Sequence, residues 1–252
     1  MPTIRERVRA GEPTIGVWVG YGSALVAEDC GSAGFDWAVI DTEHGMGTEA
    51  DVLGQLFALR GTTAAALVRV ERSERLRIGR MLDLGAEGLV VPRLETAAEV
   101  REAISWMRFP PAGVRGVALG VRGQGVGHDE IGLLNEKPLG VFQIESGLAV
   151  RNAAEIAAID GVDVLFVGPA DLSHSLGVPG RYDDPVFDDA LRAVGLAAAG
   201  AGKQAGILLR TPTDVPRHRS LGYGFIGMNS DYGHLRAATR EAAAASRALL
   251  GG

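Results

Sequence analysis

The apolar residues of the chain fall into two alternating kinds of segment. One kind is short, rich in β-branched residues and bounded by glycine, proline or aspartate, which is typical of buried strands. The other kind is longer, with apolar residues three or four positions apart, which is typical of amphipathic helices. The short segments predict eight strands: Thr14–Val19, Trp37–Asp41, Ala65–Val70, Gly88–Val91, Leu139–Ile144, Val164–Val167, Gln204–Leu209 and Phe225–Met228.

The longer segments predict a helix after each strand. We expect them at Ser23–Ala33, Thr48–Leu59, Ser73–Leu84, Thr96–Trp106, Ala149–Ile159, Pro185–Ala199, Thr213–Leu221 and His234–Leu250. Hydroxyl residues, which favour the N-cap position, stand at four of the predicted starts: Thr48, Ser73, Thr96 and Thr213.

Eight strand–helix units predict an α/β protein with a (β/α)8 TIM barrel fold, because the strands are apolar enough to be buried on both faces. We expect one domain over residues 1–252, with a long loop at about 107–137. The alternative is an open doubly wound sheet, which normally has fewer strands and a glycine-rich phosphate-binding turn after the first strand. Residues 20–24 do not match that turn.

Composition excludes several classes of partner. The formal net charge of −6 argues against nucleic acid and anionic membrane surfaces. No apolar run reaches the ~18 residues of a membrane span, and the charged N-terminus does not resemble a signal peptide. The single cysteine, Cys30, excludes an intrachain disulfide and a multi-cysteine metal site. We therefore expect a cytoplasmic protein that acts on small molecules.

Polar side chains concentrate after the predicted strands, where the active site of a barrel lies. The C-terminal strand ends carry Asp41, Glu43, His44, Arg69, Arg93, Gln143, Glu145, Asp171, Arg210, Asn229 and Asp231. The N-terminal ends offer little beyond Glu12, Asp36, Glu87, Lys137 and Lys203. This asymmetry predicts an active barrel.

Glu145 and Asp171 follow neighbouring strands. Adjacent strands lie about 4.8 Å apart, so the two carboxylates can share one ion. Mg²⁺ and Mn²⁺ prefer oxygen ligands and are often held by only one or two carboxylates with substrate and water. The alternative is an ordinary N-capping Asp171 and a salt-bridged Glu145.

Arg69 ends a wholly apolar strand, where an unpaired guanidinium would be costly to bury. It therefore needs an anion, and both a protein carboxylate and a bound substrate stay open. A divalent ion and two carboxylates sum to zero charge, whereas a 2-oxo acid enolate carries about two negative charges. Arg69 could supply the missing positive charge.

His44 lies in a loop three residues after Asp41 and could act as a general acid or base, its tautomer fixed by a nearby carboxylate. A lone loop histidine is also common without any function. Asp83 ends the third predicted helix, on the face opposite the active site. It can be catalytic only if a neighbouring subunit presents it or if that helix boundary is wrong.

The chain has only two lysines: Lys203 directly precedes a predicted strand, and Lys137 is separated from one by Pro138. Neither can reach the barrel mouth, which excludes a Schiff-base lysine and leaves a metal-stabilised enolate as the route to carbon–carbon bond chemistry. The segment Gly120–Gly127 mimics a nucleotide-binding loop but lacks the flanking strand and helix, so no nucleotide cofactor is expected. We predict a mobile loop over the mouth instead.

The chain also resembles the HpcH/HpaI-type class II pyruvate aldolases over nearly its whole length. The shared motifs are residues 9–19, 34–45, Arg69, 81–92, 109–116, 143–145 and 168–173. The segment after Arg115 departs from the pattern: it is glycine-rich where relatives carry an aromatic-containing loop over the aldehyde.

The resemblance implies a barrel that is usually a hexamer, a dimer of trimers, with the last helix packed on a neighbouring subunit. It implies that Glu145 and Asp171 hold Mg²⁺, Mn²⁺ or Co²⁺ and that Arg69 stabilises the pyruvate enolate. It further implies an acid/base role for His44 beside Asp41, with Asp83 associated with that histidine. Gln143 would lie near the substrate, and the backbone of Gly168, Pro169 and Ala170 would hold its carboxylate.

These inferences converge on a metal-dependent aldolase that cleaves 4-hydroxy-2-oxo acids to pyruvate, or a hydroxypyruvate-like analogue, and an aldehyde. Two alternatives stay open. One is a decarboxylase of oxaloacetate-like acids, and the other is a noncatalytic barrel that binds 2-oxo acids.

Overall fold

Eight parallel strands close into a barrel in the computed structural model, which describes residues 2–122 and 127–250. Each strand pairs with its neighbours in sequence, and the last pairs with the first. The strands are β1 Thr14–Val19, β2 Trp37–Asp41, β3 Ala65–Arg69, β4 Gly88–Val91, β5 Leu139–Ile144, β6 Val164–Val167, β7 Gln204–Leu209 and β8 Tyr223–Ser230. The predicted (β/α)8 fold is confirmed; β3 ends one residue earlier than expected and β8 extends further at both ends.

The helices alternate with the strands, as predicted. They are α1 Ile4–Arg9, α2 Ala24–Ser32, α3 Glu49–Leu59, α4 Arg75–Asp83, α5 Ala97–Met107, α6 Gly147–Arg151, α7 Ala153–Ala157, α8 Pro169–Ser175, α9 Pro185–Gly200, α10 Val215–Ser220 and α11 Asp231–Leu249. Short 3₁₀ helices cover His128–Glu136 and Pro212–Asp214. Helices α1 and α8 were not predicted.

Three helix predictions need correction. The helix expected at 149–159 is divided into α6 and α7 at Asn152. The Asn152 side-chain amide donates to the Glu95 carbonyl at 2.7 Å. Ser73 and Thr213 are not N-caps, because Glu74 and Asp214 occupy those positions.

The barrel interior is filled by large rings. Trp37 stacks on Phe225 with 4.1 Å between ring centroids, and its indole N–H donates to Thr14 at 3.1 Å. Gly16 lies directly against the Trp37 ring, so any Cβ there would overlap it. Ile4 of helix α1 belongs to this inner cluster, which places α1 across the N-terminal end of the barrel.

A second apolar cluster lies between the strands and the outer helices. Helix α11 differs from the other long helices, because Asp231 is its only buried residue. No helix in the described part of the chain has both the length and the apolarity to cross a membrane.

The long segment between α5 and β5 does not cover the mouth of its own barrel as far as it is described. The Arg122 guanidinium lies 3.8 Å from the centre of the Phe57 ring. Arg122 and Arg115 line a cavity at the opposite end of the barrel, together with Lys137. The predicted loop over the mouth fails for the described part; residues 123–126 lie outside the described residues.

A buried charge cluster joins helix α1 to the N-terminal ends of β5 and β6. The Asp163 carboxylate is completely buried and accepts from Arg5 Nε and Arg9 Nε, each at 2.9 Å. It also accepts from the Gly140 backbone N–H at 3.0 Å. The other carboxylate beside the 3% exposed Arg5 side chain, Glu136, is itself 61% exposed, so loss of Asp163 would leave Arg5 without its buried counter-charge.

We therefore expect Asp163→Asn to lower the free energy of unfolding by about 3 kcal/mol, the range measured for breaking one partner of a buried ion pair. Urea denaturation at matched protein concentration measures this change. The control is Asp160→Asn, because Asp160 pairs with Arg108 at 2.8 Å but is 77% exposed and should cost less than ~1 kcal/mol. Equal losses in the two variants would contradict the assignment.

Candidate active site at the C-terminal end of the barrel

Arg69 and Asp41 face each other across β3 and β2, where their Cα atoms are register partners. Arg69 donates from Nε to Asp41 Oδ1 at 2.9 Å and from Nη2 to Asp41 Oδ2 at 2.6 Å. Asp41 Oδ1 also accepts from the backbone N–H groups of Glu43 and His44, at 3.0 and 3.2 Å. The cross-strand pair therefore holds both the arginine and the start of the loop after β2.

Glu43 extends this pair to a second arginine. Its Oε2 lies 3.0 Å from Arg69 Nη1, and its Oε1 accepts from Arg93 Nε at 2.8 Å. The Glu43 side chain is only 6% exposed, whereas that of Arg93 is 66% exposed. Sequence reasoning placed both residues at strand ends but gave neither a role. The sequence feature that could have indicated a role for Glu43 is its position between Asp41 and His44.

A protein carboxylate and a bound substrate were the two possible partners of Arg69, and the structure shows that it pairs with protein carboxylates. Burial disfavours the charged form of Arg69, but Asp41, Glu43 and Glu145 outweigh that effect and raise its pKa. Asp41 accepts hydrogen bonds from two of its five guanidinium N–H donors, and Nη1 forms an ion pair with Glu43. The remaining donors are available to a ligand.

His44 is less tightly held than expected. Its imidazole is about half exposed, and Nε2 lies 4.0 Å from Glu43 Oε2. Asp41 contacts the backbone N–H of His44. The carboxylate nearest the ring is therefore that of Glu43, while Asp41 holds the backbone of His44.

Glu145 is the acid of the mouth whose pKa is raised by its surroundings. It accepts from Gln143 Nε2 at 2.7 Å and from the Arg93 backbone N–H at 3.2 Å. Burial, followed by the like charges of Asp171 and Glu43, raises the pKa of Glu145 to about 7. Gln143 Oε1 is buried without a hydrogen-bond partner among the described residues.

A cavity of about 360 Å³ lies beside Glu145, at the C-terminal end of the barrel. Its lining includes Glu145, Asp171 and Arg93. Within the described ranges no three histidine, cysteine, aspartate or glutamate side chains are grouped closely enough to hold a metal ion by themselves. The two predicted ligands thus share one cavity without a third protein ligand of these types.

The predicted substrate-binding backbone begins helix α8. Gly168 occupies its N-cap and Pro169 its first position, while the Ala170 carbonyl accepts from Ser173 Oγ at 2.8 Å. A Cβ on Gly168 would lie 2.5 Å from Glu145 Oε1. The absence of a side chain at Gly168 therefore leaves room for the Glu145 carboxylate.

Asp83 does not join the site of its own chain. It ends helix α4, at the N-terminal end of the barrel, and accepts from Arg115 Nη2 at 2.7 Å. Lys137 and Lys203 also lie at that end, two residues before β5 and one residue before β7. The positions expected for all three residues are confirmed.

The profile of the HpcH/HpaI aldolase/citrate lyase family matches residues 14–238, which include every strand and the whole mouth. The chain belongs to this family. Named aldolases of the family align over more than nine-tenths of the chain. The protein is accordingly an aldolase.

Two curated relatives are 38% identical to this HpcH/HpaI-family chain. The 5-keto-4-deoxy-D-glucarate aldolase of Klebsiella pneumoniae aligns over 93% of this chain and 92% of its own length. The hydroxypyruvate/pyruvate aldolase of Delftia acidovorans aligns over 92% and 87%. A crystal structure of an HpcH/HpaI aldolase/citrate lyase family protein from Burkholderia cenocepacia superimposes with a TM-score of 0.93 at 36% identity, covering 98% of this chain and 100% of that one.

The close approach of Gly168 to Glu145 makes a prediction for this aldolase. Gly168→Ala should lower kcat/KM for aldol cleavage at least about tenfold, because the added methyl group must displace the Glu145 carboxylate and small displacements of site groups are costly. Steady-state kinetics measures the loss, and circular dichroism checks the fold.

The matched control is Gly79→Ala, because a Cβ at Gly79 of helix α4 meets nothing within 4 Å. Alanine is also the better helix former, so this variant should keep full activity. Wild-type kinetics in Gly168→Ala would show that Glu145 needs no such space.

Proposed function

We propose that this protein is a divalent-metal-dependent aldolase that reversibly cleaves 4-hydroxy-2-oxo acids to an aldehyde and pyruvate or a hydroxypyruvate-like analogue. The observation that carries the proposal is the pairing of Glu145 and Asp171 in one cavity beside the carboxylate-bound Arg69. The names of the two relatives, a glucarate-type and a hydroxypyruvate/pyruvate aldolase, support a 2-oxo acid substrate.

The residues of the mouth fit a divalent cation. Four carboxylates, of Asp41, Glu43, Glu145 and Asp171, stand against two guanidinium groups, which leaves an excess of two negative charges for a cation to neutralise. Oxygen donors suit Mg²⁺, Mn²⁺ and Co²⁺ better than softer ions, and two carboxylates suffice when substrate and water complete the shell. We assign the metal to Glu145 and Asp171.

A bound divalent cation would act as a Lewis acid on the 2-oxo acid. The protein's own groups do the rest. Arg69 offers its free N–H donors to the oxygen on which negative charge grows, in a position already fixed by Asp41 and Glu43. Gln143 Oε1, an unpartnered buried acceptor, is available to a donor of the substrate or of water. The backbone of Gly168, Pro169 and Ala170 receives the substrate carboxylate.

His44 is the proposed general base of the cleavage direction. It takes the proton of the 4-hydroxyl group, the C3–C4 electron pair moves to C3 to form the enolate, and the aldehyde departs. A proton then returns to C3 and gives the methyl group of pyruvate. The half-exposed imidazole can exchange its proton with solvent between the two steps.

We further propose that the protein acts as a cytoplasmic homo-oligomer, a hexamer built as a dimer of trimers. Helix α11 would pack on a neighbouring subunit, which accords with its exposed length. Asp83 would then approach His44 of another subunit, since it lies at the far end of its own barrel.

The metal assignment predicts that exhaustive chelation abolishes pyruvate release and that Mg²⁺, Mn²⁺ or Co²⁺ restores it. Asp171→Asn should weaken Mn²⁺ binding at least about 100-fold, because losing even an outer-shell partner costs 10–100-fold. Calorimetric titration with Mn²⁺ measures this independently of activity. Glu95→Gln, on the same cavity, is the matched control and should bind Mn²⁺ normally. Full activity after chelation would overturn the proposal.

An enolate intermediate predicts that the methyl protons of pyruvate exchange for deuterium in deuterated water when metal is present. NMR measures this exchange. Arg69→Lys should slow this exchange about 100-fold, the usual loss for one electrostatic donor to a developing oxyanion. Arg72→Lys is the control, because Arg72 is exposed and pairs with Glu74 at 2.6 Å.

The same experiment separates the alternatives. Absence of exchange in the wild-type protein would favour a noncatalytic 2-oxo acid binder. Faster pyruvate release from oxaloacetate than from a 4-hydroxy-2-oxo acid would favour a decarboxylase.

A further inference from the structure

Arg93 lies at the outer edge of the mouth. It lines the 360 Å³ cavity with Glu145 and Asp171, and it is the one cation among the described lining residues. Its side chain is 66% exposed, whereas that of Arg69 is 10% exposed. The two arginines therefore stand at different depths of one site.

The backbone of Arg93 is held in an unusual conformation. Its φ of 59° lies in the left-handed region, which residues other than glycine seldom adopt. The Arg93 N–H donates to Glu145 Oε2 at 3.2 Å, so this conformation ties Arg93 to a proposed metal ligand. Such outliers persist where the surrounding structure requires them, commonly at functional sites.

One edge of the Arg93 guanidinium is already used. Nε donates to Glu43 Oε1 at 2.8 Å, and the buried Glu43 is itself held by Arg69. No described side chain makes a hydrogen bond to the Nη atoms of Arg93. A planar guanidinium that is oriented by one carboxylate, has further donors unused and belongs to a residue lining a cavity is suited to bind a second carboxylate.

We infer that Arg93 binds a carboxylate carried by the aldehyde half of the substrate, so that the enzyme prefers acidic over neutral aldehydes. The inference rests on the proposed function, which places the 2-oxo acid at the buried end near Arg69, Glu145 and Asp171. The aldehyde half must then extend outward, toward Arg93. An uncharged aldehyde of the same length leaves the Arg93 donors to water.

The test compares two four-carbon aldehydes in aldol addition to pyruvate by the Mn²⁺-loaded full chain: succinic semialdehyde, which carries a carboxylate, and butanal, which does not. We expect kcat/KM to favour the acid about tenfold or more, the factor of one charge-assisted contact. In Arg93→Met the ratio of the two kcat/KM values should fall about tenfold, and Arg93→Lys should retain part of it. Arg101→Met removes the same charge from the exposed side of helix α5 and should leave the ratio unchanged.

The outcomes are distinct. A purely structural role for Arg93 would lower activity toward both aldehydes equally, and an unchanged ratio in Arg93→Met overturns the inference while the proposed aldolase reaction stands. If the wild-type protein forms product from neither aldehyde and exchanges no pyruvate methyl protons, the proposed function falls, and the role of Arg93 with it.

Discussion

The pairing of Arg69 with Asp41 across β3 and β2 sets the geometry of the barrel mouth. Both side chains are largely buried, and the carboxylate accepts two guanidinium N–H groups at 2.9 and 2.6 Å. Removing Arg69 would leave the Asp41 carboxylate in the interior without its cation, and breaking a buried ion pair in this way is strongly destabilising. The pair also directs the next residues, because Asp41 receives the N–H groups of Glu43 and His44. The loop after β2 is thus built onto the ion pair.

The two ends of the barrel differ in how their buried charges are compensated. At the N-terminal end Asp163 is shared by Arg5 and Arg9, so the buried carboxylate is neutralised within the protein. At the mouth, carboxylates outnumber guanidinium groups, and Glu145 is held near Asp171 with a raised pKa. Such an arrangement costs stability in the free protein, because like charges repel at short range in a poorly solvated site. On the proposed function, the unbalanced charge and the Gln143 acceptor, which has no partner among the described residues, serve a cationic and hydrogen-bonding ligand, whereas the opposite end contributes to stability.

The strands could be predicted nearly to the residue because burial on both faces leaves continuous apolar runs between glycine, proline and aspartate. The order of strands in the barrel then placed Asp41, Arg69, Gln143, Glu145 and Asp171 at one end without any knowledge of contacts. The partners of each group could not be obtained in this way. Glu43 and Arg93 meet across separate loops, and their hydrogen bond depends on a left-handed backbone at Arg93 that no composition rule anticipates. Helix α1 was missed for a related reason: its three arginines interrupt a short apolar pattern, and the burial of Arg5 is explained only by its contact with Asp163.

The absence of lysine from the barrel mouth has a physical explanation. Arg69 binds Asp41 through one edge of its rigid fork and pairs with Glu43 through Nη1, and Arg93 binds Glu43 through Nε; each keeps other donors for a ligand. A lysine ammonium concentrates its donors on one atom and loses its charge readily when buried, so it could not bridge Asp41 and Glu43 in the same way. A lysine would also bring a nucleophilic amine to the mouth of an aldolase, and amines form Schiff bases with carbonyl compounds such as aldehydes and the proposed 2-oxo acids. Arginine supplies the same charge without that reactivity, which suits a mouth whose ligands are electrophilic carbonyl compounds.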